Sequence, residues 1–150
     1  MEPFRLTMEI DSRGIVVAIL EGEFDTAAWQ AQRQAGFLSR YRLQDYDGRP
    51  VVTDFRRCRL PSGNWAEQFR GVAEVMTRER RKPFRRAIAI GPETGAELGI
   101  TLFAEFQKLF HHADSETRAF LDYHAAYAWA LEGLPREQDE HSMPPTDLVG

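Results

Sequence analysis

Apolar and polar residues alternate at the start of the chain. Residues 4–10 read Phe-Arg-Leu-Thr-Met-Glu-Ile, and this period of two is typical of a strand with one buried face. Asp, Ser, Arg and Gly follow at residues 11–14, a composition that favours a tight turn. The apolar run at residues 15–20 fits a strand that is buried on both faces. Together these segments predict a β-hairpin.

Helical and strand patterns alternate after the hairpin. Asp25 or Thr26 can cap a helix over residues 27–41, and residues 51–55 show the pattern of a third strand. The later predicted elements are, in order, a helix from residue 65 to about residue 82, a strand at residues 87–90, a helix after Thr94, a short strand at residues 117–121 and a helix at residues 123–134.

The resulting order, ββαβαβαβα, predicts an α/β fold. Strands that alternate with helices imply a mostly parallel sheet, and the opening hairpin adds an antiparallel edge. We therefore predict a mixed sheet of about five strands with helices packed on it, within a single domain at residues 1–134. Residues 135–150 contain few apolar side chains and two consecutive prolines, which predicts a disordered tail.

Composition limits the class of protein. The chain has 150 residues, of which 43% are hydrophobic, enough for the core of one domain without disulfides or metals. Its single cysteine, Cys58, has no partner within the chain, which fits a reducing compartment. The longest apolar run, residues 15–20, is far short of the ~20 residues that span a bilayer, and residues 1–3 show no export signal. These observations predict a cytoplasmic protein without a membrane span.

The net charge of −4 hides an uneven distribution along the chain. Residues 42–86 carry twelve basic and six acidic side chains, or +6, whereas the rest carries seven and seventeen, or −10. All but two of the nineteen basic residues are arginine, whose planar guanidinium suits carboxylate or phosphate recognition. The pattern fits either a basic surface for an acidic partner or an arginine-rich codon composition. We expect no nucleic-acid partner, because the overall charge is negative and no aromatic residues are interleaved with the arginines.

The order of elements and several short motifs resemble the STAS superfamily, in particular its branch similar to sporulation stage II protein AA. The motifs are, in chain order, Glu21-Gly22-Glu23-Phe24 between strand and helix, Val51-Val52-Thr53-Asp54 in the third strand, Gly99 and Phe103 in the helix after the fourth strand, Arg118 to Asp122, and Ala126 to Trp129. The likeness covers residues 4–134. It implies a STAS-like fold and a regulatory or binding role, and we expect no cofactor.

Regulatory members of that superfamily are phosphorylated in an Asp-Ser-Ser/Thr-Gly loop before the second helix, and this chain departs from that motif. The corresponding residues are Leu60-Pro61-Ser62-Gly63-Asn64, which lack the Asp and the second hydroxyl. A phosphate on Ser62 would be stabilised by the helix N-terminus and by Arg57 or Arg59. Alternatively, Ser62 is a loop residue beside the N-cap Asn64.

Few residues offer catalytic or metal chemistry. The one metal-like group is His111, His112, Asp114 and His124. Because adjacent histidines point to different faces of a helix, we expect no metal site there. Cys58 is the candidate nucleophile of a small enzyme, since three neighbouring arginines would lower its pKa and favour the thiolate. A structural cysteine in an arginine-rich loop is the other interpretation.

We therefore predict a non-enzymatic, STAS-like binding module that recognises a protein partner or a small apolar ligand. Ligands of open α/β sheets sit beyond the carboxyl ends of the strands. The contact residues expected there are Asp54, Arg57, Arg59, Ser62, Asn64 and Trp65, and an apolar groove would lie between Trp65 and Phe103. The alternatives are a phosphorylated Ser62 switch and a small Cys58-dependent enzyme. The sequence leaves the oligomeric state open.

Overall fold

Five strands form one mixed sheet in the computed structural model, which describes residues 2–60, 65–79, 81–91 and 116–134. The strands are β1 (Arg5–Ile10), β2 (Val16–Glu23), β3 (Val51–Arg59), β4 (Arg85–Ala89) and β5 (Glu116–Phe120). Their order in the sheet is their order in the chain. β1 is antiparallel to β2, and every later neighbour is parallel. The predicted mixed α/β sheet with an antiparallel edge hairpin is therefore confirmed.

Helices cover both faces of the sheet. They are α1 (Thr26–Arg33), α2 (Leu43–Tyr46), α3 (Trp65–Thr77) and α4 (Tyr123–Leu131), and a π-helical segment (Gln34–Leu38) continues α1. α1 and α3 pack on one face of the sheet, and α4 packs on the other. The π-helical segment and α2 pack where β3 and β4 begin. No helix within these ranges is long and apolar enough to cross a membrane.

Helix boundaries differ from the sequence-based expectation. The helix predicted at residues 27–41 is α1 followed by the π-helical segment, which ends at Leu38. α2 was not predicted, because four residues are too few to show a helical period. The helix predicted after Thr94 and the tail at residues 135–150 lie outside the described residues.

The start of α1 is fixed by two neighbouring side chains with different roles. Asp25 is the N-cap, and its carboxylate accepts a hydrogen bond from the backbone N–H of Ala28 at 2.8 Å. Thr26 instead joins α1 to α3. Its hydroxyl donates to the carbonyl of Gln68 at 2.6 Å, and its backbone N–H donates to the Gln68 side chain at 2.7 Å. The two helices are thus held together at the end where α1 begins.

Gly22 makes the junction between β2 and α1 possible. Its φ of +83° lies in the left-handed region that favours glycine. A Cβ at this position would also lie 2.2 Å from the carbonyl oxygen of Pro3. The pairing of β2 with β3 shifts register just before it, between Ile19 and Glu21, as a β-bulge does.

β3 is longer than predicted. It extends to Arg59, because β2 continues to pair with it beyond the bulge, Gly22 opposite Cys58 and Glu23 opposite Arg59. The expectation that Cys58 lies in an arginine-rich loop is therefore wrong. In this strand end Arg56, Arg57 and Arg59 are exposed and Cys58 is buried, so its polar residues do not mark a turn.

Candidate functional site

The predicted contact residues fall into three groups in the structure. Asp54, Arg57 and Arg59 lie on β3, and Trp65 is the first residue of α3. Ser62 and Asn64 lie outside the described residues, as does Phe103, so the predicted groove between Trp65 and Phe103 does too. Among the predicted contact residues, the structure therefore shows the side-chain surroundings of the three on β3.

Arginines gather where β2 and β3 end. Arg56, Arg57 and Arg59, here called the basic edge, line an open cleft of about 260 Å³ together with Glu2, Gly22, Cys58 and Gly91. The side chain of Arg57 is 80% exposed and lies 3.7 Å from the carboxylate of Glu21, which Arg5 also contacts at 2.8 Å. Arg59 is exposed and forms no ion pair within the part of the chain that the structure describes. The cleft therefore presents guanidinium groups at the position where open α/β sheets bind ligands.

Asp54 is held by its neighbour on β3. Arg56 donates to both carboxylate oxygens, at 2.9 Å and 2.8 Å, and its backbone N–H donates at 3.1 Å. Burial by itself would raise the pKa of Asp54, but these hydrogen bonds from Arg56 outweigh burial and lower the pKa. Asp54 is thus an ionised carboxylate whose oxygens are engaged, not a general base with a raised pKa.

Cys58 is a buried thiol. Burial raises the pKa of Cys58 to about 12, and a weak contact with the carbonyl of Arg59 only partly offsets this. The expectation that neighbouring arginines lower this pKa is wrong. The alternation of β3 turns Cys58 into the core, whereas Arg57 and Arg59 face solvent. The thiolate is therefore disfavoured.

A second group of arginines is buried at the opposite end of the parallel strands. Arg33 comes from the end of α1, Arg81 follows α3, and Arg86 lies on β4. Glu79 lies between the first two: its carboxylate is 2.6 Å from Nη2 of Arg33 and 3.9 Å from Nη1 of Arg81. We call Arg33, Arg81, Arg86 and Glu79 the arginine cluster.

Aromatic rings surround the arginine cluster. The guanidinium of Arg81 lies 4.0 Å from the ring centroid of Phe84 and 4.9 Å from that of Tyr46, within cation–π range. Burial raises the pKa of Tyr46, and the charge of Glu79 adds to this effect, so the phenol contributes no negative charge. Burial lowers the pKa of Arg81, although Glu79 opposes the shift.

The arginine cluster borders an apolar cavity between the sheet and helices α1 and α3. The cavity has a volume of about 70 Å³. Its apolar lining comes from both helices and from strands β1 to β4, and comprises Met8, Ala18, Leu20, Phe24, Trp29, Val51, Phe55, Phe69, Val72, Met76 and Ile88. Thr53, Arg33 and Arg86 complete the lining. Both charged residues belong to the arginine cluster, so the cavity has one cationic end.

Sequence reasoning missed the arginine cluster, although α1 carries a signal for it. Trp29, Arg33 and Phe37 follow one another at intervals of four, the spacing of one helix face. All three are buried. A basic residue between two aromatic residues on one buried face is a signal for a buried guanidinium. Because charged side chains are almost never fully buried unless paired, it is also a signal for a carboxylate nearby.

Only one residue of the metal-like group named in the sequence analysis lies within the described residues. His124 is exposed, while His111, His112 and Asp114 lie outside the described residues. Within the described ranges, no group of three or more His, Cys, Asp or Glu side chains could hold a metal ion.

The fold and these two sites define an α/β domain with a cationic cleft at one end of its parallel strands and a cation-tipped apolar cavity towards the other. No protein-family model matches the chain, and no curated protein matches it at a significant level.

Proposed function

We propose that the chain is a non-enzymatic, STAS-like binding module that recognises an acidic protein partner through the basic edge. The observation that carries this proposal is the exposed row of guanidinium groups at the carboxyl ends of β2 and β3. The STAS-like motifs named above, and the mixed sheet with its antiparallel edge hairpin, support the assignment to this class of protein. A cytoplasmic location, which the single cysteine favours, is part of the proposal.

The charges of the basic edge favour an acidic partner. Arg56 is committed to Asp54 and Arg57 makes only a long contact with Glu21, whereas Arg59 has no carboxylate partner among the described residues. Arg57 and Arg59 are two residues apart on β3, so their side chains emerge on the same face. Two adjacent guanidinium forks suit bidentate recognition of carboxylates.

The two side chains that an enzyme would use here are poorly suited to catalysis, which supports the non-enzymatic proposal. The thiol of Cys58 is buried with a raised pKa, which disfavours a nucleophilic thiolate. The carboxylate of Asp54 has a lowered pKa and is bound by Arg56, so it is a weak base. The Ser62 switch stays a prediction, and mass measurement of the protein from its own host would test it by the presence of one phosphate.

Site-specific crosslinking tests the basic edge. A photo-crosslinking amino acid placed at Arg59 should form a defined adduct in the native host, and the additional change Arg57→Glu should abolish that adduct because it reverses the adjacent charge. The matched control places the same crosslinker at Arg78, an exposed arginine after α3. The proposal is refuted if the Arg59 position forms no adduct, or if both positions capture the same proteins equally.

The apolar cavity favours a second candidate function, binding of a small ligand. The lining of this cavity, apolar side chains with a few charged ones, has the composition of a small-molecule site. This site lies between the sheet and helices α1 and α3.

A further inference from the structure

The arginine cluster is buried and carries more positive than negative charge. The side chains of Arg33 and Arg81 are 3% and 2% exposed, and both contact the same carboxylate, Glu79. The charge of Asp47 also acts on Arg81, but less strongly than that of Glu79, and Asp47 accepts a hydrogen bond from the backbone N–H of Lys82 at 2.6 Å. Two guanidinium groups thus share one contacting carboxylate, and a buried cation is costly unless it is paired.

Donor atoms in the cluster point to the kind of group that would complete it. Nε of Arg33 and both Nε and Nη2 of Arg81 are buried and have no hydrogen-bond partner among the described residues. Oε1 of Glu79 is buried in the same way, 3.9 Å from Nη1 of Arg81, so the cluster has more unpaired donors than acceptors. Buried N–H groups in proteins are nearly always hydrogen-bonded. Since a guanidinium only donates hydrogen bonds, the missing partner is an acceptor.

The cavity is where an acceptor for Arg33 can enter, because Arg33 lines it and Arg81 does not. Arg33 and Arg86 contribute to its lining, and all the other lining residues except Thr53 are apolar. Burial, followed by repulsion from Arg81 and Arg33, lowers the pKa of Arg86 to about 9. An anion at this end of the cavity would offset that repulsion.

The size of the cavity limits the ligand. An apolar cavity of about 150 Å³ in another protein takes benzene, whereas this one measures about 70 Å³. The hydrocarbon part of the ligand is therefore about half the size of benzene. An anionic head with a short branched or linear hydrocarbon fits both the cationic end and the apolar walls.

We propose that the cavity between the sheet and helices α1 and α3 binds a short-chain monocarboxylate, with its hydrocarbon against the apolar walls and its carboxylate hydrogen-bonded by Arg33. Arg86 lies at the same end of the cavity and adds positive charge there. This inference rests on the second candidate function. Its failure leaves the basic edge untouched, because the crosslinking experiment reads a different surface.

Two methionines make the site directly observable. Met8 and Met76 both line the cavity, so ¹³C-methyl labelling places probes in its walls. Titration with sodium isobutyrate should shift both methyl resonances to saturation. The matched control is isobutyramide, which has the same shape without the charge. We expect it to bind at least about tenfold more weakly, as the loss of a charge-assisted hydrogen bond predicts.

Two results on the unchanged protein would overturn the proposal: no saturable shift of Met8 and Met76 with isobutyrate, or equal affinity for the acid and the amide. Phenylacetate serves as a size control, and we expect it to be excluded because its ring exceeds the cavity volume.

A pair of variants assigns the carboxylate contact. Arg33→Gln should remove most of the preference for isobutyrate over isobutyramide. Arg57→Gln removes the same charge from the basic edge and should leave that preference unchanged. If Arg33→Gln keeps the full preference, the proposed contact is wrong. If Arg33→Gln fails to fold, the comparison of acid and amide on the unchanged protein still decides the proposal.

Discussion

Glu79 is the residue on which the stability of the arginine cluster depends. The substitution Glu79→Gln removes the carboxylate that contacts Arg33 at 2.6 Å and Arg81 at 3.9 Å, and leaves both guanidinium groups buried. Removing one partner of a buried ion pair costs about 3–5 kcal/mol. Because the Glu79 side chain is 16% exposed, water can partly solvate the remaining charges. We therefore expect the lower end of that range, about 3 kcal/mol.

Urea unfolding followed by tryptophan fluorescence measures this loss. With a slope of about 2 kcal/mol per molar, typical of a small domain, the midpoint should fall by about 1.5 M. Glu9→Gln is the matched control, since Glu9 is exposed on β1, and an exposed substitution should stay within about 0.5 kcal/mol. A loss below about 1 kcal/mol for Glu79→Gln would mean that the cluster is solvated, contrary to its burial.

A double-mutant cycle identifies the coupling. Combining Glu79→Gln with Arg33→Met removes a cation together with the carboxylate, so the double variant should lose less stability than the sum of the two single losses. The expected difference is about 1–3 kcal/mol, the range for residues in one buried network. Additive losses would show that Arg33 and Glu79 do not interact in solution.

The remaining predictions concern residues whose environments differ sharply. Cys58 should react with thiol reagents at least about tenfold more slowly than free cysteine at pH 8, because burial raises its pKa; a faster reaction would contradict its burial. The lowered pKa of Asp54 contributes stability above the unfolded pKa that is lost as pH falls through the folded pKa. Asp54→Asn should therefore be less stable than the unchanged protein at pH 7 by about 1 kcal/mol, with the gap closing in acid; a constant gap in urea unfolding at several pH values would argue against this. Gly22→Ala should cost more than about 2 kcal/mol, because its Cβ would meet backbone at 2.2 Å, whereas Gly36→Ala, with nothing within 4 Å, should cost little in the same assay.

The sheet could be predicted from the sequence because its patterns are local. Alternation in β1 and the apolar run of β2 specify strands by themselves, and strand–helix alternation implies parallel pairing. The end of β3 could not be predicted in this way. Its last residues are strand because an extra residue of β3 between Asp54 and Arg57 and the positive φ of Gly22 on β2 let the two strands stay paired as far as Arg59. This pairing depends on β2 as well as on β3.

The candidate site was predicted less completely, for the same reason. Arg57 and Arg59 could be predicted as contact residues because a run of arginines after a strand is visible in the sequence itself. The arginine cluster brings together residues from α1, the segment after α3, and β4, and only the folded chain places them around Glu79. Sequence reasoning treats a charged residue as exposed unless something marks it as buried.

The arginine-rich stretch at residues 42–86 is therefore not one basic surface. Of its twelve basic residues, Arg57 and Arg59 face solvent on the basic edge and Arg81 and Arg86 are buried in the arginine cluster. Others are exposed elsewhere, among them Arg42, Arg70, Arg78 and Lys82. Buried guanidinium groups cannot contact the phosphates of a nucleic acid. The net charge of this stretch therefore overstates the positive charge that is accessible to a polyanion. The basic edge itself is a short row on β3, which suits the few carboxylates of the proposed protein partner. Arg86, by contrast, lines the apolar cavity together with Arg33, where the proposed monocarboxylate would place one negative charge.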